Sequence, residues 1–328
     1  RNPALDIQRA NVAIDFGTSS TVVAIRQDGR DELLRIGMQA NDFKQHDVLP
    51  EHFENPTVLE MINLQDFFKA WHSEAYRPLV KWDQVHCSHQ ARASLRNNDS
   101  NSRVVSSILL RLKQWALRSI QDAQVYVTDQ QEQGYEYQLE ALKELNPVKG
   151  QAIEINQDYP KLDPIELYAW FLGMNINWRN RGIFLEYYLT FPVAYPQDTK
   201  SKILASFRRG LQRSLPESLL ADEAFNHFLV EELASEPAAF AAAALERLDI
   251  EPTEQGVAYA VFDFGGGTTD FDYGVYREPT DDEADLYDHV IEHFGSSGDK
   301  FLGGENLLEN LAYLVFKENQ NTPNFLIN

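Results

Sequence analysis

One short phrase occurs twice in this chain, with its two aspartates, Asp15 and Asp263, 248 positions apart. Each copy is an apolar run that ends in Asp-Phe-Gly, followed by small and hydroxyl-bearing residues and then a second apolar run. This pattern predicts two strands joined by a tight turn, with the aspartate at the end of the first strand. Glycines in the turn allow positive φ and close approach of a ligand to the backbone. Because backbone N–H groups beside Thr and Ser hydroxyls suit a phosphate, the two hairpins predict a site for one nucleotide and its metal ion.

The repetition carries more information than either copy alone. A single Asp-Phe-Gly turn is equally typical of an ordinary hairpin, and the same tripeptide supplies a metal-binding aspartate in protein kinases. The kinase interpretation fails because the chain has neither a His-Arg-Asp catalytic loop nor a strand lysine in a Val-Ala-Ile-Lys setting. The paired occurrence, with three consecutive glycines at residues 265–267, favours phosphate binding.

Length, charge and cysteine content exclude several classes of protein. A chain of 328 residues predicts one large or two medium domains. The formal net charge of −21 opposes binding to nucleic acid or to an anionic membrane, and no apolar stretch is long enough to span a bilayer. The single cysteine, Cys87, excludes an intrachain disulfide and fits a reducing, cytoplasmic compartment. His86 and His89 flank it without a second pair of ligands, which predicts an ordinary loop rather than a metal site.

Strand-like and helix-like segments alternate along the chain, which predicts α/β architecture with duplicated halves. Residues 11–36 are typical of a hairpin with a third short strand, and residues 40–104 are typical of irregular, polar chain. Further predicted elements are a hairpin around Gly134, helices over 163–178, 197–213 and 235–248, strands over 183–190 and 227–231, and a last helix from Asn306.

Two helices invite more detailed predictions. Apolar residues between Ile108 and Ala116 recur at helical spacing, and they predict one amphipathic helix over 104–121. The helix over 197–213 is basic, and its run Arg208, Arg209 and Arg213 is predicted to face solvent.

In this order, the motifs resemble the ATPase domain of the seventy-kilodalton heat-shock chaperone family, which belongs to the actin-like ATPase superfamily. Residues 14–18 and 262–270 resemble its two phosphate motifs, and residues 189–195 resemble the strand and proline before its connecting segment. Residues 235–244 resemble its Glu-Pro-rich alanine helix. Residues 298–305 resemble the chaperone form of a late turn more than the form in actin or rod-shape filament proteins. The resemblance covers most of the chain, although the sequences between the motifs are remote and the family's late adenosine-binding glycine motif is absent.

The resemblance implies a role for each matching residue. Asp15 and Asp263 would hold Mg²⁺, mostly through water, and Asp270 would lie beside the metal's ligands or near a potassium ion. Gly303 and Gly304 would approach the nucleotide from the other half. The residues that would contact the β- and γ-phosphates are Gly17, Thr18, Ser19, Gly265, Gly266, Gly267 and Thr268.

Catalysis would depend on Glu236, Lys113 and the metal ligand Asp263. Glu236 would help to position the attacking water or the metal's waters; the alternative is that this carboxylate only complements the positive end of its helix. Lys113 is the best match for the family's lysine that reaches the γ-phosphate; the alternatives are a solvated surface lysine, or the neighbouring cations Arg111 and Arg118. Phosphoryl transfer needs positioning and charge neutralisation, and Mg²⁺ keeps several waters, so two carboxylates suffice.

We therefore expect an α/β protein with a duplicated actin-like ATPase fold, built from ribonuclease-H-like halves of which the second is incomplete. Residues 1–195 would form the first lobe with an inserted subdomain, and residues 196–328 the connecting helices and the start of the second lobe. The expected function is binding and slow hydrolysis of ATP to ADP in a chaperone-like module, with a client protein or co-chaperone as partner. A small-molecule kinase of the same superfamily, or a nucleotide-gated scaffold with little turnover, remain the alternatives.

Overall fold

The computed structural model describes residues 2–36, 48–117, 124–131, 134–138, 162–179 and 182–321. It is a mixed α/β structure, as the alternation of segments predicts. The chain divides into two compact units. The first contains the described residues up to Leu189 together with Gln197–Glu231, and the second contains Thr190–Pro196 and the described residues from Glu232 onward. The boundary predicted at residue 195 placed the basic helix over 197–213 in the later part, whereas the structure groups this helix with the first unit.

The elements are numbered in chain order. The strands up to residue 235 are β1 (Asn11–Phe16), β2 (Ser20–Gln27), β3 (Arg30–Leu33), β4 (Asn55–Pro56), β5 (Leu59–Met61), β6 (Val85–Cys87), β7 (Ile108–Leu109), β8 (Gln124–Thr128), β9 (Gly134–Gln138), β10 (Glu186–Phe191) and β11 (Leu229–Ser235). The helices in this stretch are α1 (Leu64–Trp71), α2 (His89–Asn97), α3 (Ser102–Ser106), α4 (Leu112–Trp115), α5 (Pro164–Arg179) and α6 (Gln197–Ser214). Then follow α7 (Glu236–Arg247), β12 (Val257–Phe264), β13 (Thr269–Arg277), β14 (Val290–Asp299) and α8 (Gly304–Asn319).

The largest sheet has the strand order β11-β10-β1-β2-β3, with β4 paired to β2. β1 runs parallel to β10 and antiparallel to β2, and β2 runs antiparallel to β3. The β2–β3 turn consists of Asp28 and Gly29, with φ of 52° and 74°. Two-residue hairpin turns need positive φ at such positions, and Asp-Gly is among the sequences that supply it.

One face of β1 forms part of the core of the first unit. Val12, Ile14 and Phe16 are buried, whereas the alternate residues of the strand are exposed. The ring of Phe16 lies 4.9 Å from that of Phe207 on α6 and 6.1 Å from that of Tyr168 on α5. Helices α5 and α6 therefore contribute the cover of this face.

The prediction that the basic run of α6 faces solvent was wrong for Arg209 and Arg213. Their residues are only 2% and 4% exposed, and both guanidinium groups pair with Glu166, at 2.9 and 3.0 Å. Arg209 also reaches Asp163 at 2.6 Å. Burial alone would raise the pKa of Glu166, but the two guanidinium groups outweigh it and hold this pKa below its usual range. Local sequence could not show these pairs, because the acidic partners lie on α5 and at its N-terminal cap, more than 40 positions earlier in the sequence.

Arg213 also joins α6 to the segment after α1. Its guanidinium donates to the backbone carbonyls of Trp71, Glu74 and Ala75, and its central carbon lies 3.6 Å from the centroid of the Trp71 ring. We call Arg209, Arg213, Glu166 and Asp163 the buried clamp. It ties α5, α6 and the segment after α1 together.

The predicted single helix over 104–121 was also wrong within the described residues. The segment forms α3, then strand β7, then the single turn α4. β7 pairs with β5, with Leu109 opposite Leu59, and Arg111 adopts a left-handed φ of 56°. Strand pairing to a distant segment overrides the local helical spacing.

Helices α1 and α2 were missed, because residues 40–104 were predicted to be irregular. Asn63 caps α1 by accepting the N–H of Asp66, and the buried residues of α1 recur at helical spacing. The prediction of an ordinary loop around Cys87 was wrong as well, because β6 and the start of α2 occupy that segment. His86 pairs there with the buried Glu60 at 2.7 Å, and burial raises the pKa of the Cys87 thiol.

Other elements agree with the sequence predictions. The hairpin of β8 and β9, and helices α5, α6 and α7, begin and end close to the predicted positions. Asp163 caps α5 by accepting the N–H groups of Ile165 and Glu166, and Ser235 caps α7 by accepting that of Ala238. In the second unit, β12, β13 and β14 form an antiparallel meander against which α7 packs.

Candidate functional site

The two Asp-Phe-Gly hairpins have the same length and register. In the first, Phe16 pairs with Thr21 and Asp15 with Val22. In the second, Phe264 pairs with Thr269 and Asp263 with Asp270. Each turn therefore contains four residues between its last strand pair, and both aspartates occupy the penultimate position of their strand, as predicted.

The matched register adds one candidate that the sequence analysis missed. Counting from the aspartates, Ser20 is the counterpart of Thr268, so each turn ends in a hydroxyl residue. Thr18 is the counterpart of Gly266. Counting positions from each aspartate in the sequence would have found this match.

In these turns the glycines allow backbone atoms to pack closely, and they do not adopt positive φ. Among the described glycines, positive φ occurs at Gly29 and Gly256, so the expectation of positive φ in the two turns was wrong. A Cβ atom on Gly17 would lie 2.3 Å from the backbone carbonyl oxygen of Ser20, a distance that no real Cβ contact tolerates. The first turn closes over this position because glycine has no side chain.

The first turn is supported by the segment that contains β4. The carbonyl of Ser19 accepts the N–H of Thr57, and the hydroxyls of Thr21 and Thr57 lie 2.8 Å apart. The buried side chain of Asn55 donates to the carbonyl of Thr21 and accepts the N–H of Ile36. Asp15 itself lies on the exposed face of β1, and the Thr18 residue is buried. The Asp15 carboxylate therefore lies beside a turn whose backbone is held in place by hydrogen bonds to the segment around β4.

The second turn is held by the start of α8. The N–H groups of Gly304 and Glu305 donate to the carbonyls of Gly265 and Gly266, at 3.0 and 2.8 Å. A Cβ atom on Gly303 would lie 2.5 Å from the carbonyl oxygen of Gly266, so this residue packs directly on the turn. These bonds satisfy N–H groups in the first turn of the helix and fix the peptide planes of the glycine turn.

The second turn offers backbone N–H groups that a ligand could use. Gly265 donates to the carbonyl of Thr268 at 2.9 Å, which closes the turn. The N–H groups of Gly266 and Gly267 make no hydrogen bond to any other residue that the structure describes. Successive N–H groups in a turn, next to the Thr268 hydroxyl, are donors of the type that bind phosphate.

Asp263, Asp270 and Asp272 project from one face of the second meander, which we call the carboxylate face. Asp270 is 1% exposed and accepts the N–H of Val193 at 2.7 Å. A Cβ atom on its neighbour Gly298 would lie 2.8 Å from the Asp270 carboxylate. Asp270 is thus held within the protein, with Val193 and Gly298 as supports that the sequence analysis missed.

Asp272 is engaged by two neighbours. The Tyr259 hydroxyl donates to it at 2.8 Å, and His293 lies 3.0 Å from the same carboxylate oxygen. Burial and the adjacent Asp272 raise the pKa of Tyr259, which therefore keeps its proton and remains a donor. Of the three carboxylates, Asp263 is the one that is only half-buried.

Glu236 and Lys113, the two predicted catalytic side chains, lie in different units. Glu236 is the first residue of α7, next to the cap Ser235, and is half-buried. Lys113 lies on α4 in the first unit and is 2% exposed, which excludes the alternative of a solvated surface lysine. A lysine buried to this degree needs a partner that stabilises its charge.

The predicted residues therefore form two groups. The first unit contains Asp15, Gly17, Thr18 and Ser19 in one turn, with Lys113 elsewhere in the same unit. The second unit brings together Asp263, the turn at 265–268, Asp270, Gly303 and Gly304. That Asp15 and Asp263 share one magnesium ion stays a prediction.

The described residues include no group of three or more His, Cys, Asp or Glu side chains arranged to hold a metal ion. Within those same ranges, no helix combines the length and the apolar character needed to cross a bilayer.

Comparison with known proteins gives no assignment. No protein-family model matches the sequence. No curated protein matches it at a significant level. The functional argument therefore depends on the two turns themselves.

Proposed function

We propose that this chain is a nucleotide-binding module of the actin-like ATPase type, which binds Mg-ATP through its two Asp-Phe-Gly turns and hydrolyses it slowly. The single observation that carries the proposal is the identical register of the two turns, each with an aspartate at the same position. Two ordinary, unrelated hairpins would not be expected to share both the length of the turn and the position of an aspartate.

The surroundings of the turns support this function. The second turn offers the N–H groups of Gly266 and Gly267, and the Thr268 hydroxyl lies beside them. The first turn contributes the hydroxyls of Thr18 and Ser19. The meander of β1, β2 and β3, followed in the second unit by the meander of β12, β13 and β14, supports a duplicated architecture.

The donor set fits a hard divalent cation. Mg²⁺ takes oxygen ligands and retains several waters, so the carboxylates of Asp15 and Asp263 would suffice to hold it. When bound, the ion would neutralise charge on the phosphates. Glu236 would orient the attacking water, and Lys113 would supply a cation to the γ-phosphate. Asp270 would hold the metal's waters or a potassium ion. The late turn at residues 298–305 favours the chaperone-like version over the kinase and scaffold alternatives.

The proposal is tested by calorimetry of Mg-ATP binding to the chain and to the variants Asp15→Asn and Asp263→Asn. We expect each variant to lose at least about tenfold in affinity, or about 1.4 kcal/mol, because each loses one charged partner of the cation. The matched control is Asp31→Asn, on the exposed strand β3, whose carboxylate makes a long surface pair with Arg26, at 3.9 Å. Wild-type affinity in both variants, or equal losses in the control, would contradict the proposal.

A further inference from the structure

The face of the second meander opposite the carboxylate face is apolar and exposed. It carries Phe262, Phe264, Phe271 and Tyr273, and we call it the aromatic face. Phe262 and Phe271 are directly paired across the two strands, and Phe262 is 70% exposed. An exposed cluster of this size on a protein surface marks a site of association.

Comparison with the first hairpin, which has the same register, indicates which kind of element packs on such a face. Phe262 and Phe264 are the counterparts of Ile14 and Phe16, and Phe271 is the counterpart of Val23. In the first unit these counterparts are fully buried, and Phe16 packs against rings on helices α5 and α6. The aromatic face is therefore the counterpart of a surface that helices cover.

Helix α8 is the complementary element on the same chain. None of its described residues is buried. Leu307, Leu308, Leu311, Leu314 and Val315 recur at helical spacing, and each is between 48% and 62% exposed. A helix with such a stripe is stable in water only when another surface covers it. The hydrogen bonds of Gly304 and Glu305 to the glycine turn fix its first turn, and the stripe stays exposed in its own copy.

We propose that two copies of this chain associate by reciprocal exchange, with α8 of each copy packed on the aromatic face of the other. Each copy offers both an uncovered sheet face and an uncovered helix, which is the requirement for a closed two-fold dimer. About nine large apolar side chains take part on each copy. Aromatic side chains bury roughly 150 Å² or more each when fully covered, and the four on the sheet are about half-exposed. Together with the five aliphatic side chains of α8, the exchange would bury several hundred Å² per partner.

Charge opposes this dimer rather than driving it. The chain has a formal net charge of −21, and α8 itself carries Glu305, Glu309 and Glu318. Association should therefore strengthen with added salt, because salt screens the repulsion between copies and leaves apolar burial intact. A dimer held by ion pairs would respond in the opposite direction.

The test is sedimentation of the chain over a dilution series, at low and high salt. The sheet variant is Phe262→Ser with Phe271→Ser, and the helix variant is Leu311→Ser with Leu314→Ser. We expect a dimer that either variant weakens by at least about 100-fold, because both symmetrical interfaces lose two large apolar side chains. The matched control is Leu5→Ser with Leu79→Ser, two exposed leucines outside the second unit, which should leave the dimer unchanged.

Mixing the two variants distinguishes exchange from other dimers. A mixed dimer retains one intact interface, in which α8 of the sheet variant meets the aromatic face of the helix variant, so mixing should partly restore association. A chain that stays monomeric, with α8 folded on its own aromatic face, overturns the proposal. So does a dimer that both variants leave intact, or a mixture that associates no better than its components. Circular dichroism of each variant establishes that it is folded.

Discussion

The two hairpins are alike in backbone and opposite in surroundings. Their turns match residue by residue, but Ile14 on β1 is 1% exposed and its counterpart Phe262 on β12 is 70% exposed. The hairpin geometry comes from a few consecutive residues, which explains why it recurs. Burial of this face comes from elements far away in the sequence, such as α5 and α6, which cover it in the first hairpin, whereas the matching face of the second hairpin is exposed. The local motif and its packing are therefore separate properties, and they can be perturbed separately.

The largest effect is expected at the buried clamp, for which the less deeply buried pair of Arg277 and Glu283 in the second unit provides a comparison. We expect Glu166→Gln to destabilise the first unit by about 3–5 kcal/mol, because it leaves two buried guanidinium groups without their shared carboxylate. Urea unfolding, followed by a probe in the first unit, measures the change. The control is Glu283→Gln, which removes a half-buried partner of Arg277. An equal loss of stability in this control would contradict the importance of the clamp.

The clamp also predicts a direction for pH dependence. The pKa of Glu166 is lower in the folded protein than its usual range, because Arg209 and Arg213 favour the charged form despite burial. Its contribution is therefore fully present above the unfolded pKa, about 4.3, and is lost as the pH falls toward the lower folded pKa. The first unit should lose stability in acid more steeply in the wild type than in Glu166→Gln.

The next prediction compares substitutions on the matching apolar faces of the two hairpins. We expect Ile14→Ala to cost about 2–5 kcal/mol, since it removes buried methyl groups and leaves a cavity. The counterpart Phe262→Ala should change the stability of the monomeric chain by less than about 0.5 kcal/mol, because the ring is exposed. Thermal unfolding at a concentration where the chain is monomeric gives both values. Comparable losses would mean that the aromatic face is covered within one copy.

The sequence predicted the elements whose signals are local. The two Asp-Phe-Gly hairpins, helices α5 and α7, and the hairpin around Gly134 depend on neighbouring residues, and all were confirmed. The failures involve distant partners. Arg209 and Arg213 are indistinguishable from a solvated basic run until Glu166 is placed beside them. Residues 108–109 have helical spacing, and only their pairing with β5 makes them a strand.

The candidate site divides in the same way. The turns and their aspartates could be predicted because the motif itself encodes them. Val193 and Gly298 could not, since they support Asp270 from segments that are adjacent only after folding. The burial of Lys113 could not be predicted from the spacing of apolar residues either, because the helix that was expected to carry this lysine is interrupted by β7.

The smallest effect concerns the first glycine of each turn, where the two copies differ by a small distance. A Cβ on Gly17 would lie 2.3 Å from the carbonyl oxygen of Ser20, whereas a Cβ on Gly265 would lie 3.3 Å from that of Thr268. The first contact must displace backbone, so Gly17→Ala should cost about 1–3 kcal/mol, as overpacked sites do. The second needs a shift of only a few tenths of an ångström, so Gly265→Ala should cost clearly less. Chemical denaturation of both variants measures the difference. Equal costs would show that the turns are closed equally tightly, so that their likeness extends from register to atomic packing.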